Sequence, residues 1–193
     1  ALDWATHCAA LSQYYLTKCD FATTRHLLCC TDAILNQLHS TAKDGPSEKL
    51  EEQTASIKRC WGKYAIELLK YSKLKLLENA DKPDQKDLLK TLDLPSEFQF
   101  HLPTEVYDLN EAEKSAITSN PALDFEQAKK IFLKGQTILN ECKNYFILDG
   151  FVSDHCEIVR DLSELYSVLL FFEEDLDRRC KMQKRRLDLL IPI

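Results

Sequence analysis

What the sequence has little of narrows it first. Four glycines and six prolines occur in 193 residues. A turn-rich β protein needs many of both, so the scarcity points to long helices. Long hydrophobic runs are missing as well. The longest, "YSVLLFF" from Tyr166, is far shorter than the roughly 20 residues that a bilayer-spanning helix needs. No stretch has the pattern of a signal peptide. The chain also lacks net positive charge, with 25 Lys and Arg against 31 Asp and Glu, or −6. Nucleic acid is therefore not an expected partner, because phosphate binding needs a basic surface. There is no Gly-rich phosphate loop, no HExxH and no GxSxG, so nothing argues for catalysis and no cofactor is expected. The cysteines Cys8, Cys19, Cys29, Cys30, Cys60, Cys142, Cys156 and Cys180 are numerous, but no CxxC pair occurs among them. Thiols scattered through helical patterns read as reduced core residues of a cytosolic protein rather than a disulfide framework.

What is present is helical periodicity. Residues 3–19 read as one helix and 21–38 as a second, with a break at Cys19-Asp20. "KDGP" at 43–46 is a loop. A long helix is expected over 48–80. Its residues Ile57, Trp61, Tyr64, Leu68 and Tyr71 form one apolar stripe, and Ala65, Leu69 and Leu76 a second. Two stripes let a helix pack on both sides. The stretch 80–123 holds four of the prolines and reads as an irregular insertion with short helices at 85–93 and 109–119, the latter started by a capping box at Asn110. "DFEQ" from Asp124 is another capping box. It opens a helix whose stripe runs Phe125, Ala128, Phe132, Gly135, Leu139, Cys142 and Phe146. Gly150 is expected to stop that helix as a left-handed cap. A last helix, continuous over 152–189, should bury Val159, Leu162, Tyr166, Leu169, Phe172, Leu176, Cys180 and Leu187. The chain thus divides into 1–79, 80–123 and 124–193, the last a long antiparallel hairpin. It begins without Met, and both ends cut into helical patterns, so it reads as part of something longer.

Two helices share a pattern. Phe21, Thr24 and Leu28 repeat the spacing of Phe125, Ala128 and Phe132, each set following an Asp. Aromatic, small and large apolar is the second-helix signature of a tetratricopeptide unit. Leu11, Ser12 and Tyr15 supply the first-helix half. One unit then spans 5–38, near the ~34-residue period of such repeats.

"FFEEDLDRRCKMQKRRLDLL", from Phe171, carries acids and then bases. A Mg²⁺ site built on Glu173, Glu174 and Asp177 would need a companion acidic motif downstream, and none follows. The stretch reads instead as i, i+4 pairs, Glu174–Arg178, Asp175–Arg179 and Asp177–Lys181, each contributing only ~0.2–0.5 kcal/mol. "RRCKMQKRR" reads as a solvated face. His26 and Cys29 are half of a zinc site without a second half, so no metal is expected. His155 and Cys156 are adjacent on a helix and do not face each other.

Several stretches resemble a known family. They are "DWATHCAALSQYYLTKCDFATTRHLL", "IKRCWGKYAIELL", "LDFEQAKKIFLKGQTIL" and "YFILDGFVSDHCEIVRDLSELYSVLLFFEEDLDRRCKMQKRRLDLL". Together they resemble the KIF-binding protein family, most specifically at 145–190. The resemblance implies an all-α, right-handed α-solenoid of tetratricopeptide-like hairpins with no enzymatic activity. It implies a cytoplasmic, cytoskeleton-associated protein. Such a protein captures kinesin motor domains in its concave side, keeps them off microtubules and so regulates organelle and axonal transport. The motor-facing residues it implies are Ala10, Gln13, Tyr14 and Thr17, with the loops at 40–50 and 80–110 nearby. Ala10 departs from the polar residue usual in the family. A net charge of −6 suits a basic motor surface. The competing reading is a generic tetratricopeptide peptide-binding scaffold; a carboxylate clamp would expect Asn where Gln13 stands.

Overall fold

Local capping and periodicity account for most of the observed elements. The computed structural model describes residues 1–42, 45–79, 100, 102–103 and 106–191. Among these residues every regular element is helical: α1 (Leu2–Thr17), α2 (Phe21–Thr41), α3 (Glu48–Asn79), α4 (Leu109–Ser115), α5 (Phe125–Tyr145), α6 (Val152–Leu169) and α7 (Leu176–Leu190). The all-α reading holds. The helix expected at 85–93 lies outside the described residues, as do Lys43 and Asp44 of the "KDGP" loop.

The break between α1 and α2 has a clear cause. Cys19 adopts φ 57, a left-handed conformation rare for a residue with a Cβ. Asp20 then caps α2, its Oδ1 accepting from the Thr23 N–H at 3.0 Å and its Oδ2 from the Thr23 hydroxyl at 2.7 Å. Ser12 and Thr24 are fully buried where the two helices meet, and the Thr24 hydroxyl approaches the Ser12 carbonyl at 3.4 Å. Small side chains permit that approach. Leu11, the large residue of the repeat pattern, points outward instead.

The long helix α3 is the spine. It packs against α1, α2, α5 and α6. Ile57, Trp61, Tyr64, Ala65, Leu68 and Leu69 are buried, so both expected stripes are used. The α3–α5 contact is close because Gly135 faces α3: a Cβ there would lie 2.8 Å from the Ala65 Cβ.

The irregular region after α3 is tied down where it is described. Asp108 caps α4, accepting from the Glu111 N–H at 2.9 Å. This corrects the expected start at Asn110, which lies inside the first turn. The helix ends at Ser115 rather than 119, because Ala116 turns to an extended conformation. The carbonyls it releases are claimed by cations. Arg25 donates to the Glu113 and Ile117 carbonyls at 2.7 and 2.9 Å, and Lys134 to those of Ser115 and Ala116 at 2.9 and 2.7 Å. Further on, the Tyr64 hydroxyl donates to the Thr118 carbonyl at 3.0 Å, and Ser72 accepts from the Ala122 N–H at 2.8 Å. Residues 115–122 therefore form a strap pinned to α2, α3 and α5.

Asp124 caps α5 as expected, accepting from the Gln127 N–H at 2.8 Å. Ala128, Phe132, Gly135, Leu139, Cys142 and Phe146 are buried, with Phe125 half-buried. Gly150 does not end α5. The helix stops at Tyr145, and Gly150 takes its φ of 108 in the following turn. Phe146 leaves the helix early and its carbonyl pairs with the His155 ring Nδ1 at 2.8 Å.

The largest correction concerns 152–189, which is two helices. α6 ends at Leu169, and 170–175 is a turn before Asp175 caps α7 through the Arg178 N–H at 2.9 Å. Glu174 and Asp175 are thus outside the helix, and the pairs Glu174–Arg178 and Asp175–Arg179 do not form. Glu173 is instead buried in the turn, its Oε1 accepting from the Asp175 N–H at 3.1 Å and its Oε2 lying 3.7 Å from Arg178. No residue of α7 is buried, so Leu176, Cys180 and Leu187 leave the expected stripe, while Phe172 keeps its place in the core.

Candidate functional site

The arrangement of helices creates two different faces. α1 packs on α3, and α3 on α6, and residues of all three line one groove. α2 packs against α1 and α4, α5 against α3 and α6, and residues of α2, α3 and α5 line another.

The four candidate residues sit at helical spacing on α1. Ala10, Tyr14 and Thr17 are exposed and Gln13 is half-buried; Tyr14 keeps 57% of its surface open. The Lys18 ammonium lies 5.7 Å from the Tyr14 ring centroid, and the Tyr15 ring meets Tyr14 edge-on at 5.4 Å. Both contacts are of the favourable cation–ring and edge-on aromatic kinds. Gln13 donates to the Ser12 hydroxyl at 3.1 Å. Gln13 and Thr17 also line a groove of about 460 Å³ with Leu16, Cys19, Lys63, Ile66, Glu67, Asp161 and Glu164. The structure brings these two candidates together with α3 and α6; Ala10 and Tyr14 stand on the open surface of α1 outside that lining.

The lining mixes apolar Leu16 and Ile66 with charged Lys63, Glu67, Asp161 and Glu164, and ion pairs tie α3 to α6 beside it. Arg59 bridges α3 to α6, holding Glu157 at 2.6 Å and Asp161 at 3.2 Å. Burial pushes the Asp161 carboxyl up, and Arg59 offsets this only in part. The more exposed Glu157 is held low by its hydrogen bond to Arg59. Further along, Lys70 joins Glu67 at 2.8 Å and Glu164 at 2.6 Å. Those side chains are about 40% exposed, so the pairs contribute little to stability, on the order of 0–1 kcal/mol. They do fix where charge is presented. Sequence reasoning missed the links from α3 to α6, Arg59–Glu157, Arg59–Asp161 and Lys70–Glu164, because no local spacing announces them; Glu67–Lys70 is a local i, i+3 pair.

The other chemistry weighed from sequence is placed as follows. Glu173 is buried and Glu174 exposed, so the acidic cluster does not converge on one face. Among the described residues no group of three His, Cys, Asp or Glu is positioned to hold a metal ion. His26 accepts the Phe100 N–H at 2.9 Å through Nε2 and approaches Cys30 at 3.6 Å. All eight cysteines are free thiols. Burial pushes Cys8 up to about 11 and Cys29, Cys30 and Cys142 up to about 12, so these four are poor nucleophiles. No helix among the described residues is long and apolar enough to cross a membrane.

Comparison with known proteins adds the following. The family model described as KIF-1 binding protein C terminal matches residues 2–193. A Danio rerio protein named KIF-binding protein is 40% identical over 220 residues, an alignment covering 100% of this chain and 34% of that one. The Xenopus tropicalis protein of the same name is 37% identical over 220 residues, covering 100% of this chain and 35% of its own length. The Homo sapiens one is 35% identical over 211 residues, with 100% and 34% covered. The chain therefore spans about a third of the length of the curated relatives it matches.

Proposed function

From the premise that this chain belongs to the KIF-1 binding protein family, we propose that it captures kinesin motor domains and blocks their attachment to microtubules. α1, α3 and α6 form the concave side of a right-handed solenoid of tetratricopeptide-like hairpins, with α2 and α5 behind them. The motor lies across Gln13, Tyr14 and Thr17. Ala10, without a polar group, contributes shape alone. The protein acts by occlusion, as a non-enzymatic regulator of organelle and axonal transport in the cytoplasm and on the cytoskeleton. The observation that carries this reading is the placement of Gln13 and Thr17. Both line one groove with α3 and α6, so a partner seated there touches three helices at once. Helical repeat proteins use such shared surfaces for binding.

The test is co-sedimentation of a kinesin motor with microtubules in the presence of the full-length parent protein. The motor is expected to stay in the supernatant. A motor that still pellets at saturating protein refutes occlusion. The double substitution Gln13→Ala with Tyr14→Ala should weaken capture about tenfold or more, the scale of losing an interface anchor. Its circular dichroism and thermal midpoint should be unchanged, since neither side chain is buried. Undiminished capture removes α1 from the site.

A further inference from the structure

A groove of about 720 Å³ runs between residues 116–123 and one face of α5, with Arg25 of α2 in its lining. It shares no lining residue with the groove at Gln13 and Thr17. Its size falls within the roughly 300–1,000 Å³ of ligand clefts. Its walls are fixed before any partner arrives, since Tyr64 holds the Thr118 carbonyl at 3.0 Å and Ser72 the Ala122 N–H at 2.8 Å. On α5 the lining residues Gln127, Lys130, Ile131 and Lys134 follow the spacing of one side of a helix.

Charge of a single sign sets this groove apart. Its lining holds Arg25, Lys130 and Lys134 and no Asp or Glu, in a chain whose net charge is −6. Arg25 donates its Nε and Nη2 hydrogens to the carbonyls of Ile117, 92 residues on, and of Glu113. Lys134 turns to the carbonyls of Ser115 and Ala116. A carbonyl accepts a hydrogen bond without cancelling the charge, and both cations keep N–H donors to spare. Lys130 forms no ion pair among the described residues. The acids just outside the lining are committed: Glu126 to Lys129 at 3.6 Å, and Asp124 to the backbone and side-chain N–H groups of Gln127 at 2.8 and 2.9 Å. Lys130 and Lys134 stand four apart on α5, a like-charge spacing that is unfavourable until an anion sits between the two. Half-buried Pro121 and Leu123 add apolar surface on the opposite wall.

We propose that this groove binds an acidic segment of a partner protein. One carboxylate sits between Lys130 and Lys134, a second meets Arg25, and an apolar side chain of the segment rests on Pro121 and Leu123. In an extended segment, acids at alternate positions share one side and apolar residues the other. That pattern matches a groove with cations from α2 and α5 on one wall and apolar residues of the strap on the other. A basic surface, of the kind the motor reading calls for, is repelled by this lining. The partner is therefore a different one, and the inference does not fail with the motor reading.

The experiment titrates the full-length parent protein into the peptide Leu-Glu-Ala-Glu-Leu-NH₂, carrying an uncharged fluorophore at its N-terminus, and follows fluorescence anisotropy. A second peptide has glutamine in place of both glutamates, with the same shape and no charge. Saturable binding of the glutamate peptide is expected, and binding at least about tenfold weaker for the glutamine peptide, the scale of one charge-assisted hydrogen bond. Lys130→Gln should weaken the glutamate peptide about three- to tenfold. Lys129→Gln removes the same charge from the neighbouring position outside the lining and should change it by about twofold at most. Both lysines are exposed, so circular dichroism of the two variants should match that of the parent. No binding at millimolar protein overturns the proposal, as does equal binding of both peptides, undiminished binding to Lys130→Gln, or an equal loss in Lys129→Gln. Complete displacement of the peptide by about 1 mM inorganic phosphate also overturns it, since the site then takes any small anion. Self-association that Lys130→Gln abolishes does so too, since the occupant is then a second copy.

Discussion

α5 and α7 are written in the same code and end in different places. Each repeats apolar residues at helical spacing, and each is capped by an aspartate. On α5 the stripe from Ala128 to Cys142 is buried against α3 and α6. On α7 nothing is buried; Leu176 keeps 71% of its surface and Leu187 60%. α7 touches the rest mainly through half-buried Met182 and Leu189, and through Arg186, which donates to the Ser163 hydroxyl at 3.4 Å. Periodicity tells that a helix has a face. Whether that face is covered depends on what surrounds it. α5 has neighbours on two sides, while α7 packs mainly against α6.

The sharpest way to test the contrast is to cut the same residue type from both stripes. Leu139 is fully buried, and its side chain fills the space that a Cβ on Gly62 would need. Leu139→Ala leaves a cavity between α3 and α5 that two long helices cannot close. A loss of about 2–5 kcal/mol is expected by urea unfolding. A cost under 1 kcal/mol would mean that α5 is no better anchored than α7.

How much of this could be read beforehand follows the same line. The α5 stripe was legible because every position in it meets a neighbour, and Asp124 and Gln127 mark its start within one turn. The break at 170–175 was not, because Phe172 continues the apolar spacing of α6 and is itself buried. The signal was present but ambiguous. Asp175 stands three residues before Arg178 as a cap should, yet the acids around it also suit the first turn of a longer helix. The same ambiguity hid Asp108 behind Asn110. For the sites, Ala10, Gln13, Tyr14 and Thr17 came from family resemblance, because exposed positions on a helix look alike in one sequence. Arg25 and Ile117 are 92 residues apart, and Arg59 and Asp161 are 102 apart. Only packing α2 on the strap, and α3 on α6, makes them neighbours.

A second prediction tests the joint between the two kinds of helix. Glu173 is buried in the turn between α6 and α7, and its Oε2 has no hydrogen bond. The nearby cation is Arg178, 3.7 Å away and largely exposed. Arg178→Ala leaves Oε2 buried with no cation beside it, while Oε1 keeps the Asp175 N–H. The distance and the exposure of the arginine keep the expected loss to about 1 kcal/mol. Adding Glu173→Gln should restore most of it, because a neutral amide is cheaper to bury. If the single substitution is silent, Arg178 does not hold the turn and α7 is attached only by its apolar contacts with α6.

The smallest effect carries the most information about α7. Leu187→Gln keeps helix propensity nearly constant and removes an apolar side chain that is mostly in solvent. Little buried area is lost, so the change in unfolding free energy should be within about 0.5 kcal/mol. The contrast with Leu139→Ala is then several-fold for the loss of one leucine in each case. A cost of 2 kcal/mol or more would show that the Leu187 face is covered in solution, and the dependence of that cost on protein concentration would tell what covers it. A cost that grows with concentration means a second chain seated on the stripe, because only association responds to mass action. A cost independent of concentration means that α7 packs more tightly onto α6 than its exposed leucines indicate.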